Sequence, residues 1–298
     1  MASNPASQQH DDDADPALPR RGLGLVARLA VAGVVVGLAS GAVWFVSRAS
    51  RPEPGLTAKD IPALQVAAAD VAPGSVAPAE AMSVGKLAKA KKHKPKPQGG
   101  ATRNDPLGGW AAALSRATDI PARVLWAYGN AELSMRASFP GCHISWATLA
   151  GIGRVESDHG RFAGTTVNPD GTLSRPIIGV PLNGSGAVAT VSDTDGGALD
   201  GDRMHDRAVG PMQFIPSTWR TQAADGNGDG KADPEQVDDA ALAAAHYLCV
   251  SGRDMATAQG WWSGIFSYNR SVEYGKKVFG LADEYARQAR QTLPGVGQ

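Results

Sequence analysis

A chain of 298 residues contains only two cysteines, Cys142 and Cys249. That is too few for a disulfide scaffold, and no Cys/His spacing suits a zinc site. A single bridge is compatible with a domain held outside the cytoplasm. Net charge is missing too: 29 basic residues balance 29 acidic ones, so overall charge points to no partner. The balance conceals a division. Residues 1–100 carry 12 Lys+Arg and 8 Asp+Glu, and residues 101–298 carry 17 and 21. The basic excess lies outside the segment that reads as folded and suggests no nucleic-acid-binding face. His246 has no second histidine at metal-ligand spacing, so it reads as a packed or surface side chain.

Leu29 to Val46 gives 18 residues without a charge, near the minimum for a membrane-spanning helix. Trp44 and Phe45 suit a membrane interface. The competing reading is a signal peptide, with Ala39, Ser40 and Ala42 as small residues. The run is long for that, and no clear A-x-A cleavage site follows. We therefore expect a polar tail (1–22), a single-pass transmembrane anchor (23–47), a Pro-, Ala- and Lys-rich linker (48–103) and a folded domain (104–298). Arg48 and Arg51 offset Arg20, Arg21 and Arg28, so the positive-inside rule barely orients the anchor. Six lysines within residues 86–96 read as a solvated, self-repelling spacer. The sharper alternative is contact with an anionic surface of lipid headgroups or wall polymers.

The domain is long enough for one well-buried core. Pro106 to Ala117 and Pro121 to Met135 read as helices, with Pro121 suited to a first turn. The central stretch is LAGIGRVESDHGRF, Leu149 to Phe162. It predicts a helix from Trp146 to Ser157 with Ser145 as N-cap and Gly160 as a stop. Leu149, Ile152 and Val155 form its apolar stripe, and Glu156 shares that buried side. Burial and the negative helix end both favour a protonated carboxyl there, as a general acid requires. The plain alternative is a surface glutamate at a frayed helix end.

Gly, Asn, Asp, Pro and Thr dominate Ala163 to Met204, which predicts a long loop or hairpin insertion of the kind that covers a site. Its acidic stretch, Asp193 to Asp202, reads as a solvated turn, with a cation site as the alternative. Pro216 opens a short helix, and Met212, Gln213 and Phe214 precede it where side chains can face a cleft. Asp225, Asn227, Asp229 and Gly230 match the first half of an EF-hand calcium loop. The Lys231 carbonyl is the next ligand, and Asp239 can close a longer loop because the twelfth position is Gln236. Asp238 or Asp239 is expected to cap a helix ending at Cys249. Two last helices, around Gly260 to Tyr268 and Val272 to Gln288, flank a break containing Tyr268, Asn269 and Tyr274. Aromatic rings and an amide there suit either core packing or a sugar-binding cleft.

Taken in order, GIGRVESDHGRF, AVGPMQFIPSTW, DGNGDGKADP, DDAALAAAHYLC and SYNRSVEYGKKV resemble the lytic transglycosylases of the membrane-bound lytic murein transglycosylase B type, in particular anchored actinobacterial forms. The resemblance covers about Ile120 to Leu281. It implies a mainly α, lysozyme-like domain with a loop insertion and an EF-hand-like loop. It implies non-hydrolytic cleavage of the β-1,4 bond between N-acetylmuramic acid and N-acetylglucosamine in peptidoglycan, leaving a 1,6-anhydro end. Glu156 takes the family's acid/base position. Gln213, Tyr268, Asn269 and Tyr274 take substrate-contacting positions, with Met212 and Ser157 added as their neighbours. The resemblance also implies structural Ca2+ on Asp225, Asn227, Asp229, Lys231 and Asp239, a Cys142–Cys249 disulfide, and a catalytic domain facing the cell wall. Two other readings stand beside it. One is a muramidase using a second carboxylate among Asp193, Asp195, Asp200 and Asp202. The other is a peptidoglycan-binding protein without turnover.

Overall fold

The computed structural model describes residues 66–75, 105–185 and 189–294. All of them fall in the second of the two compact units into which the chain divides, Pro52–Gln298. The expected tail and anchor (1–47) lie outside the described residues. Among the described residues no helix is long and apolar enough to cross a membrane.

Seven α-helices carry the described domain: α1 Pro106–Thr118, α2 Ala122–Ser138, α3 Trp146–Ser157, α4 Pro216–Gln222, α5 Val237–Cys249, α6 Ala258–Tyr268 and α7 Val272–Thr292. Two short strands, β1 Ile178–Pro181 and β2 Arg207–Val209, pair antiparallel within the expected insertion.

The core is built around α3, buried along its length from Trp146 to Gly153. Its start is fixed twice. Ser145 caps it by accepting the Thr148 N–H, and the buried Glu132 carboxylate of α2 accepts the Trp146 N–H at 2.9 Å. Both satisfy donors that the first helical turn leaves without partners. Two glycines let neighbours close in. A Cβ on Gly151 would sit 2.8 Å from the Val278 carbonyl of α7, and one on Gly153 would sit 1.9 Å from the Tyr128 hydroxyl of α2. A helical glycine costs about 1 kcal/mol of propensity. Fully burying Leu149 and Ile152 returns about 1.5–3 kcal/mol for each side chain. The helix ends at Asp158, which takes the left-handed conformation (φ 51°). The stop therefore precedes Gly160.

The Cys142–Cys249 disulfide forms, across 107 residues of sequence. It joins the α2–α3 connection to the end of α5. The cap of α5 is Gln236, not an aspartate: its side chain accepts the N–H groups of Asp238 and Asp239. Asp238 instead lies buried against the Arg123 guanidinium.

The expected linker contains a docked stretch. In residues 66–75, the Ala69 N–H donates to the Lys276 carbonyl of α7, and Ser75 offers its carbonyl to the Trp262 indole of α6. Val71 packs on the core.

Candidate active site

Glu156 closes the last turn of α3 and reaches a cleft between that helix end, the β1–β2 hairpin and the α6–α7 break. Gly179, Leu182, Gln213, Tyr268 and Asn269 line it with Glu156. Among the described lining residues Glu156 is the one carboxylic acid. The residue keeps some solvent access, but protein surrounds the carboxyl group closely. Burial pushes its pKa up to about 7, opposed by the Tyr274 hydroxyl, which donates to Oε1 at 2.6 Å. The expected direction of the shift holds, and its cause is desolvation. Tyr274 is buried, and burial together with the Glu156 charge holds its pKa well above the usual tyrosine value, so it stays a donor.

The polar wall opposite is less regular. Residues 210–213 form the turn between Val209 and Phe214, whose backbones exchange hydrogen bonds of 2.8 and 3.0 Å. Gln213 adopts φ 49° there, a conformation that costs a non-glycine residue about 1–2 kcal/mol. Its Nε2 donates to the carbonyls of Gly210 (2.9 Å) and Ile177 (3.3 Å). Two carbonyls facing one end of the amide fix which atom is nitrogen. The buried Oε1 has no hydrogen-bond partner among the described residues. A Cβ on Gly179 would stand 3.0 Å from it, so glycine keeps that side of the cleft open.

Tyr268 anchors its hydroxyl on the Met212 carbonyl at 2.6 Å. Its ring meets Phe214 and Tyr247 edge-on or tilted, with centroids 5.9 and 5.7 Å away. Asn269 ends α6 with extended backbone, and its Oδ1 accepts the Ser271 N–H. The structure thus brings Glu156, Gln213, Tyr268, Asn269 and Tyr274 together.

It does not bring Ser157 or Met212 into the cleft. Both are fully buried. The Ser157 hydroxyl donates to Pro211 O at 2.6 Å and accepts the Gly160 N–H, which ties α3 to the 210–213 turn. Met212 fills the core beside Gly153. The helical period explains Ser157, which turns about 100° away from Glu156, whereas Met212 points into the core from the 210–213 turn.

Asp193, Asp195, Asp200 and Asp202 do not line the cleft either. Their carboxylates accept loop N–H groups, as Asp193 does from Asp195, Gly196 and Gly197. These are turn-forming bonds.

His159 escaped notice in the sequence although its position beside Glu156 offered a signal. It is buried, with Nδ1 3.2 Å from the Tyr128 hydroxyl and Nε2 3.1 Å from that of Tyr285. Burial and the nearby Arg161 and Arg154 hold its pKa well below the usual histidine value. A neutral imidazole locked between two tyrosines steadies the end of α3 without charging it.

In the 225–239 loop, Asp225 accepts the N–H groups of Gly228, Asp229 and Gly230. Asn227 Oδ1 accepts the Asp229 N–H, and Asp229 accepts the Lys231 N–H. Asp239 accepts from Gly226, Asn227 and Asp233. Burial pushes Asp239 up to about 6, and the Asp225 charge adds to that. An all-oxygen set with three carboxylates, of which Asp225 and Asp239 repel each other, fits a hard cation by chemistry. Among the described residues the trio of carboxylates with oxygens within 4.8 Å of one another is nevertheless Asp193, Asp195 and Asp206. In the 225–239 loop the oxygens are turned onto backbone N–H groups.

Residues 207–264 match the family model described as Transglycosylase SLT domain. The match supports a lytic transglycosylase family. It runs from β2 into α6, so it takes in Gln213 and the 225–239 loop and ends before Tyr268; Glu156 lies ahead of it. No curated protein and no solved structure matches the chain.

Proposed function

We propose that this protein is a peptidoglycan lytic transglycosylase of the membrane-bound lytic murein transglycosylase B type, with Glu156 as its single acid/base. The observation that carries the reading is a cleft with one carboxyl group, raised to about 7 and held by one tyrosine hydroxyl. Most glycosidases place two carboxylates about the scissile bond, and substrate-assisted enzymes are an exception.

The steps balance with one group. Protonated Glu156 gives its proton to the glycosidic oxygen while the C1–O bond of the muramic residue breaks. The carbonyl oxygen of the substrate's own acetamide takes up C1. The Glu156 carboxylate then removes the proton from the C6 hydroxyl. That oxygen closes on C1, and the acetamide is released. No water enters, and Glu156 ends protonated as it began. A pKa near neutrality serves both halves of this cycle. Gln213 Oε1 and the Tyr268–Asn269 pair are placed to meet hydroxyl and acetamide groups. Asp225, Asn227, Asp229, the Lys231 carbonyl and Asp239 would hold a calcium ion, which would steady the loop against α5 and supply no chemistry to the reaction. We further propose that residues 23–47 anchor the chain in the cell membrane with the domain facing the wall.

The deciding experiment is mass spectrometry of sugars released from purified peptidoglycan by wild type and Glu156→Gln. Products one water lighter than hydrolytic muropeptides, lost in the variant, are expected. Reducing ends would replace this reading with a muramidase. Binding without release would replace it with a non-catalytic wall protein.

A further inference from the structure

One half-buried acid near the cleft takes no part in the chemistry above. Glu235 lies at the end of the 225–239 loop, and burial pushes its carboxyl up to about 7. A carboxylate placed where desolvation opposes it needs a compensating task. Glu235 Oε2 accepts the Ile177 N–H at 3.0 Å, and its buried Oε1 has no hydrogen-bond partner among the described residues. The approach is tight: a Cβ on Gly210 would lie 1.9 Å from the Pro234 carbonyl. Ile177 and Gly210 are also the two residues whose carbonyls receive the Gln213 side-chain amide, and the Gly210 N–H donates to Ile177 O at 2.9 Å. Ile177 thus meets the carboxylate with its N–H, and its carbonyl takes both the Gln213 amide and the Gly210 N–H.

We infer that Glu235 is a positioning residue for Gln213: by gripping Ile177, whose carbonyl holds both the Gly210 N–H and the Gln213 amide, it aims Gln213 Oε1 into the cleft as an acceptor for an N–H or O–H of the bound amino sugar. Hydrogen bonds in series polarise and orient one another. The free Oε1 then selects donors, because the amide nitrogen is committed to the two carbonyls. The turn carrying Gln213 is strained at φ 49°, so it needs such an outside hold. The 225–239 loop thereby acquires a direct link to the sugar-binding wall. This inference rests on the transglycosylase reading for its substrate, although the hydrogen-bond chain does not.

The test uses the full chain and three substitutions. Glu235→Gln keeps an acceptor for the Ile177 N–H, whereas Glu235→Leu fills similar space without one. We expect Glu235→Gln to keep kcat/KM on purified peptidoglycan within about threefold and Glu235→Leu to lose about tenfold. In a Gln213→Ala background the loss from Glu235→Leu should vanish while its effect on Tm persists. Equal activity of the Gln and Leu variants, or the same loss in both backgrounds, overturns the inference. A second readout does not need turnover: the side-chain amide resonances of Gln213, assigned with Gln213→Ala, should move in Glu235→Leu and hold in Glu235→Gln. Unmoved resonances in Glu235→Leu overturn the inference. A wild-type protein that releases no anhydro sugar sinks the transglycosylase reading, and the resonances still decide the role of Glu235.

Discussion

The Tyr274 hydroxyl donates to Glu156 Oε1 at 2.6 Å, joining the first turn of α7 to the last turn of α3. The bond favours the carboxylate and opposes the upward push of burial on the same group. Tyr274→Phe removes the opposing force. The alkaline limb of the pH–rate profile should move up by about one unit, with turnover falling about tenfold or more. An unmoved or lowered limb would show that the bond does not tune this acid.

Glu156→Gln should cut turnover by at least about 100-fold and still stabilise the protein at neutral pH. The sign follows from linkage. The folded pKa of about 7 exceeds the ordinary glutamate value of 4.5, so the proton binds the folded state more tightly. The resulting stability is complete below about pH 4.5 and is lost as pH rises through 7. The variant escapes that loss, so its stability relative to wild type should rise between pH 4 and pH 8, by on the order of 1–3 kcal/mol. Melting curves at the two pH values check it; parallel curves would mean the carboxyl is not perturbed.

Chelation probes the 225–239 loop. With calcium at about 100 times its Kd, removal should cost about 2.7 kcal/mol and lower Tm measurably. Asp239→Asn should abolish the response. A chelator without effect on wild type would remove calcium from the proposal.

Reduction addresses the bridge. Closing a loop of about 100 residues is worth up to about 5 kcal/mol on the chain-entropy account, and the Cys142–Cys249 pair spans 107. Thermal melts with and without reductant should differ by about 2–5 kcal/mol. No difference would indicate that the α2–α3 connection is held by other contacts, such as the Met255 N–H to Cys142 O bond of 2.7 Å.

Features written over short spans of sequence were the legible ones. The bounds of α3 and its Ser145 cap depend on neighbours within one turn, and they agree with the structure. Glu156, Gln213 and the Tyr268–Asn269 pair fall on one cleft as their motif order implied. The illegible features are held by distant partners. His159 needs Tyr285, 126 residues on, and Glu235 needs Ile177, 58 residues back. Gln236 outcompetes two aspartates as cap because Asp238 is drawn to Arg123 and Asp239 to the loop N–H groups. Ser157 and Met212 stand next to site residues in sequence and, for that reason, face the other way.

Residues 66–75 sit on α6 and α7, so the folded unit reaches beyond the expected boundary at residue 104: a fragment begun there would leave the Trp262 indole N–H and the Lys276 carbonyl without those partners.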